Sequence, residues 1–256
     1  MKENYVLECC VDSVESAIHA ANGGADRLEL CSNLVIGGTT PDVALVKEIR
    51  KYADIRIHAL IRPRFGDFCY SEHEVSLMKE QIRALKLAGV EGVVIGTLDE
   101  DGYLNVPVMK ELMAEAQGLS VTLHRAFDMC CDPFEALETA IKLGINTILT
   151  SGQKQSAWEG RELLTRLQEQ AGGRIVIMAG AGIGDKTIAQ LMPVTGIMTY
   201  HMSGKVTLDS KMRYRQEGVS MGLPGISEYE IWQTSEELVR EAAEVLHKGN
   251  HDMKEV

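Results

Sequence analysis

The sequence predicts an α/β protein, a single-domain (β/α)8 barrel over residues 1–256. Eight short apolar runs recur, at residues 5–10, 27–31, 55–62, 92–98, 120–125, 146–151, 174–180 and 196–201. Amphipathic, helix-like segments separate them, the alternation expected of parallel β/α units. Nearly every run ends in a polar side chain or a glycine turn, and barrels of this kind carry their functional groups at the carboxyl ends of the strands. The chain is 45% hydrophobic, enough for one large core, and no Pro/Gly/Ser-rich linker divides it.

The elements follow in order. After strand one, Asp12-Ser13-Val14-Glu15-Ser16 offers a helix N-cap and an acidic first turn. Gly24, Gly89 and Gly144 precede strands two, four and six, where a helix end needs a left-handed residue. Pro41, Pro107 and Pro133 sit near helix starts, where a missing N–H costs nothing. Ser71-Glu72-His73-Glu74 reads as a capping box opening a helix over 72–88. Asp185 is expected to cap the helix after strand seven. Residues 202–234 lack a clear period, and a connection that long is often functional. A last helix at about 235–246 closes the ring.

Charge narrows the function classes. A formal net charge of −11 disfavours nucleic acid and anionic membrane as partners, since both need a basic surface. No apolar run is long enough to span a bilayer, and the first ten residues lack a signal-peptide pattern, so a cytoplasmic location is expected. The six cysteines, Cys9, Cys10, Cys31, Cys69, Cys130 and Cys131, contain no CxxC pair and read as free thiols.

Alternation along the strands sorts side chains into two faces. Apolar residues should meet the helices, leaving the polar set to line the lumen. This places Glu8 and Cys10 on the inward face of strand one, and Arg27, Glu29 and Cys31 on that of strand two. Strand three adds Arg56, His58, Leu60 and Arg62, strand five Thr122 and His124, and strand eight Thr199 and His201. Charges inside a barrel need partners or a task. Glu8 and Glu29 are expected either to pair with Arg56, Arg62 or Arg125 or to act on a ligand.

Several strand-end loops carry chemistry. Residues 61–70 hold Arg62 and Arg64 around Pro63, suited to an anion, or to an ion pair with Asp67 that stiffens the loop. His124, Arg125 and Asp128 bring a base, a cation and a carboxylate within five positions, an acid–base set or a locked loop. After strand seven, Gly180 and Gly182 would let backbone N–H groups approach a phosphate, with Ser151 and Ser203 as further donors. A small anionic ligand is the physical inference.

These residues also carry a resemblance. Glu8-Cys9-Cys10-Val11-Asp12-Ser13, the run from Gly24 to Cys31, Gly37-Gly38-Thr39-Thr40-Pro41, the run from Ile61 to Phe68, His124-Arg125-Ala126-Phe127-Asp128, Leu149-Thr150-Ser151-Gly152 and Ala179-Gly180-Ala181-Gly182 together closely resemble the CutC family of copper homeostasis proteins. One departure is Phe65, where the family's arginine loop more often has glycine. The resemblance implies a cytoplasmic TIM barrel, often a homo-oligomer, with a role in copper handling. It implies Cu(I) held by two cysteines, which look most like Cys10 and Cys31; a soft ion of low coordination number suits thiolates. Copper handling leaves Arg62, His124, Arg125, Asp128 and the glycine loop without a task. The alternative is a lyase or isomerase acting on a small phosphorylated or carboxylated substrate. There Glu8, Glu29 or His124 would serve as base, Arg62 or Arg125 would hold developing negative charge, and His201 would stand at the strand tip.

Overall fold

The computed structural model describes residues 5–252 apart from 220 and 224. Eight parallel strands close a barrel in sequence order: β1 (Val6–Val11), β2 (Arg27–Leu30), β3 (Arg56–Leu60), β4 (Gly92–Ile95), β5 (Ser120–Leu123), β6 (Thr147–Thr150), β7 (Val176–Gly180) and β8 (Thr199–Met202). The helices α1 (Val14–Asn22), α2 (Val43–Ile49), α3 (Glu72–Leu87), α4 (Val106–Glu115), α5 (Pro133–Leu143), α6 (Arg161–Ala171), α7 (Asp185–Thr195) and α8 (Glu236–Asp252) follow the strands in turn.

Local sequence explains the starts and stops. Ser13 accepts a hydrogen bond from Ser16 N and opens α1, and Ser71 with Glu74 forms the reciprocal capping box of α3. Gly144 ends α5 at φ 78°, a conformation other residues reach only at a cost. Asp185 does not cap α7: Gly184 takes the N-cap position, and Asp185 is the first helical residue, where its charge suits the helix dipole.

Several strands are shorter than the apolar runs. Arg62, His124 and Ser151 lie beyond the last ladder residues of β3, β5 and β6. Apolar character continues past the ladder because the chain ends stay buried at the barrel mouth: Ile61 and Ser151 are fully buried. The connection after β8 is also more regular than its composition suggests. It forms an antiparallel pair, β9 (Lys205–Asp209) with β10 (Glu230–Thr234). Thr234 anchors β10 on α1, donating its N–H to Ser16 Oγ at 3.1 Å and accepting from His19 Nδ1 through its carbonyl at 2.9 Å.

The core has two parts. Leu7, Cys9, Val11, Leu28, Leu30, Ile57 and Ala59 face outward under the helices in the main cluster. Cys31, Leu60 and Val94 form a separate inward cluster, with Cys10 and Leu34 packed on it. Among the described residues no helix is long and apolar enough to cross a membrane.

Candidate functional site

The lumen holds an ordered charge network. Register sets Glu8 beside Arg27 on one side and His201 on the other. Its carboxylate accepts from Arg27 Nε at 2.6 Å and from His201 Nδ1 at 2.7 Å. Burial alone would push the Glu8 carboxyl up, but the Arg27 guanidinium and His201 together hold it well below the usual carboxylate range. The expected partners Arg56, Arg62 and Arg125 are therefore replaced by Arg27, whose strand neighbours β1 in register.

Glu29 lies higher on the same inward face, with Oε2 3.8 Å from His201 Nε2. Burial pushes its carboxyl up, against the lowering pull of His201. For His201, burial opposes the charge, but Cys10, Glu29 and Glu8 outweigh it and hold the imidazolium well above the ordinary histidine range. His58 sits beside this network as a neutral ring, with its pKa lowered to about 3 by burial and then by Arg27.

The upper layer is built around Phe68. Arg62 Cζ stands 5.1 Å from the Phe68 ring centre, and the His124 ring centre stands 4.9 Å from it. Arg62 donates to the carbonyls of Gly37, Gly38 and Gly66, tying the loops after β2 and β3 together. None of these acceptors is charged, and Arg62 Nε is buried without a partner. His124 Nδ1 accepts from Ala126 N at 3.1 Å. Burial, then Arg62, lowers the His124 pKa to about 3, so the ring is neutral and carries its proton on Nε2. That Nε2 is also buried without a partner. Gly96 makes room for the ring: a Cβ there would stand 2.6 Å from His124 Cε1.

A cavity of about 240 Å3 opens at the barrel mouth. Glu29, His201, His124, Arg62, Arg125 and Cys10 line it with Leu34, Leu60, Phe68 and Leu149. Most of the expected acid–base residues thus meet in one space. Glu8 lies beneath, with no exposed surface.

Other expected groups are engaged elsewhere. Asp128 accepts from Arg125 Nε, Thr150 Oγ1, Ser151 N and Gln153 N, locking the loops after β5 and β6. Ser151 Oγ is bonded to Asp128 and the Lys154 carbonyl. Arg64 is held by Asp67 and Glu74, the loop-stiffening alternative. Gly180 lies against Leu149, where a Cβ would approach Cδ1 to 2.5 Å. The Gly182 loop is covered by the segment after β6, through the bond from Ala157 N to Ala181 O. Ser203 lines an adjoining cavity of about 220 Å3 under β9 and β10. Arg64, Ser151, Gly180, Gly182 and Ser203 therefore do not line the mouth cavity.

The two inward cysteines are staggered. Cys10 pairs in register with Glu29, and Cys31 lies two residues further along. Cys31 is fully buried and directs its Sγ toward Glu29 Oε2 at 3.5 Å. Burial, then the charge of Glu29, pushes its thiol pKa well up. Among the described residues, the Glu8, Glu29 and His201 group has the ligand-atom spacing of a metal site, with both Glu8 oxygens already engaged by Arg27 and His201. Sequence reasoning missed Arg27 as the central cation, and Leu34 and Phe68 as cavity walls. The Glu8–Arg27 pair was visible as two inward residues, but strand register was needed to join them.

Fold and site together define a (β/α)8 barrel protein with a small cavity, lined by charged and apolar side chains, at the carboxyl ends of its strands. The chain belongs to the CutC family, whose model matches residues 5–206. The human copper homeostasis protein cutC homolog is 46% identical over 237 residues, covering 92% of this chain and 87% of that protein. A CutC family protein from Bacteroides thetaiotaomicron is 48% identical, covering 89% of this chain and 92% of its own length. A CutC crystal structure from Streptococcus agalactiae superposes with a TM-score of 0.74 at 28% identity, covering 78% of this chain and 98% of that one. A phosphoribosylanthranilate isomerase from Pyrococcus furiosus shares the fold alone, at 13% identity, a TM-score of 0.54, and coverage of 95% of this chain and 99% of that one.

Proposed function

We propose that the mouth cavity binds a small anionic molecule and that its residues move a proton on it. One observation carries this reading: two buried N–H donors without partners, His124 Nε2 and Arg62 Nε, belong to side chains that line the same cavity. Orphaned buried donors cost about 1–3 kcal/mol each, and such costs concentrate at functional sites. Phe68 lies against both groups, so a ligand reaching them would shift or replace that ring. The cavity is smaller than the ~300–1,000 Å3 of drug-sized pockets, which favours a small ligand. Arg62, Arg125 and the His201 imidazolium favour a negative charge on it.

The same groups suit proton transfer. Burial raises the Glu29 carboxyl above its ordinary range, the direction that suits a general acid–base group. Neutral His124 would donate Nε2–H to a developing oxyanion without becoming charged itself, with Arg62 beside it. Calorimetric titration of small carboxylates and phosphate monoesters into wild type, Arg62→Met and His124→Ala tests this. We expect binding by some members of the panel, weakened at least tenfold in Arg62→Met. No binding by any member at millimolar concentration would contradict it.

A second reading keeps Cu(I) as cargo. Cys10 and Cys31 belong to one inward cluster with Leu60, Val94 and Leu34, an apolar setting that suits a soft ion between thiolates. The family name supports it. The stagger between the sulfurs and the protonated state favoured for Cys31 oppose it. Anaerobic Cu(I) competition on wild type, Cys10→Ser and Cys31→Ser separates the two readings. Tight one-to-one binding lost in both variants favours cargo, and binding indifferent to both removes it. Six free thiols fit a reducing cytoplasm. The exposed Leu208, Met212, Tyr214 and Ile231 on the segment around β9 and β10 fit a homo-oligomer.

A further inference from the structure

The end of β8 and the chain beyond it supply residues to two adjoining cavities. His201 lines the mouth cavity. Ser203 and Lys205, just beyond it, line the cavity of about 220 Å3 under β9 and β10. Cys10 and Leu34 line both spaces and form the wall they share. Asp12 Oδ2 accepts from Leu34 N at 3.2 Å and so holds the chain at that wall.

The β9 and β10 pair turns one face to the second cavity. Lys205 lies opposite Thr234, and Thr207 opposite Trp232, so these four side chains share a face. The exposed Leu208 and Ile231 lie on the other. Thr234 Oγ1 donates to the Ser203 carbonyl at 3.1 Å, and its N–H donates to Ser16 Oγ, which fixes the inner face over the cavity. Lys205 Nζ stands 3.3 Å from the centre of the Trp232 ring, a diagonal contact between the two strands. An aromatic face attracts the ammonium but does not neutralise it. Among the described residues no carboxylate forms an ion pair with Lys205, and Asp12, in the same lining, has one oxygen on Leu34 N.

Lys205 is thus a positioned cation without a counter-charge at the edge of a cavity. The chain from His201 to Lys205 can separate their Cα atoms by at most about 14 Å. Both cations therefore lie within reach of one small molecule. We propose that the two cavities form a single elongated site for a linear molecule with an anionic group at each end, a dicarboxylate or a phosphorylated carboxylic acid. One end lies among Arg62, His124 and His201, and the other on Lys205. The middle passes Leu34, an apolar wall that suits a methylene chain. This rests on the anion reading of the mouth cavity and extends it. Lys205 sets the length of ligand preferred, and Trp232 positions Lys205.

Calorimetric titration of the full-length protein with linear dicarboxylates from succinate to suberate tests the proposal. Each is compared with the monocarboxylate of the same carbon number, which keeps the apolar chain and removes one charge. At one length the dicarboxylate should bind roughly fivefold tighter or more, the scale of one partly shielded ion pair. Lys205→Met should bring it down to the affinity of the monocarboxylate. Arg62→Met should weaken both ligands. A second readout is optical. The chain has two tryptophans, so Trp158→Phe leaves the emission to Trp232. That emission should change with the preferred dicarboxylate and stay constant with inorganic phosphate, which is too short to leave the mouth cavity.

Dicarboxylates no tighter than monocarboxylates at every length overturn the elongated site, as does a gain that survives Lys205→Met. If monocarboxylates or phosphate still bind with dependence on Arg62, the anion reading of the mouth cavity survives that loss. No binding by any of these ligands overturns both. Should Lys205→Met fail to fold, Trp232 emission decides alone, and a response to phosphate as well, or to neither ligand, overturns the elongated site.

Discussion

Arg62 and His124 show most clearly how single side chains make this cavity. The guanidinium is buried among backbone carbonyls of Gly37, Gly38 and Gly66, with no carboxylate against it. Its charge is therefore solvated by neutral dipoles and remains available to an anion. Arg62→Lys should keep the charge but lose most of the anion affinity, because one ammonium cannot span carbonyls on two loops and still face the cavity. Calorimetry should show a loss of at least fivefold, with circular dichroism unchanged. Alternation in the sequence found most of the cavity's polar residues, Glu29, Cys10, His124, Arg62 and His201 among them. It could not find that Arg27 neutralises Glu8, because that depends on the parallel register of β1 against β2. Nor could it separate Arg62 from Arg64. Both sit in one arginine loop, yet Glu74 at the start of α3 captures Arg64.

At the scale of elements, two glycines set the imidazoles. A Cβ at Gly92 would stand 2.5 Å from His58 Nε2, and one at Gly96 would stand 2.6 Å from His124 Cε1. Gly96→Ala should therefore displace the His124 ring and cost about 1–3 kcal/mol, the usual penalty for overpacking a close-packed interior. Thermal unfolding would show a clear fall in Tm, and an unchanged Tm would mean that the ring moves freely. Ser71→Ala should cost about 1 kcal/mol through loss of the capping box of α3. The elements were largely legible: glycines, prolines and caps marked the helices, and apolar runs marked the strands. The β9 and β10 pair was not, since its residues are mostly exposed and show no regular apolar period. It is fixed instead by Thr234 on α1, a contact between residues far apart in sequence.

The whole molecule is a barrel whose lumen is charged below and donor-rich above. That layering predicts its stability against pH. His58 and His124 have folded pKa values of about 3 against an ordinary 6.5. Between those limits the unfolded chain binds more protons than the native one, so stability falls as pH drops from 6.5 toward 3, by up to ~1.4 kcal/mol per pH unit for each histidine. Glu8, lowered by Arg27 and His201, adds further loss below its ordinary pKa of 4.5. His201 has the opposite sign: its raised pKa contributes stability below 6.5 that is lost as pH rises through the folded value. Denaturant midpoints across this range should fall steeply on the acid side, and His124→Gln should flatten that limb.

A neutral His124 donor and a charged His201 line one cavity, which we propose binds an anion. The most direct measurement is long-range 1H–15N NMR of the histidine rings at pH 7, without and with saturating inorganic phosphate or a small carboxylate. We expect His124 neutral and protonated on Nε2, His201 doubly protonated, and both resonances moving when the anion is added. A charged His124, a neutral His201, or rings indifferent to every anion would contradict it.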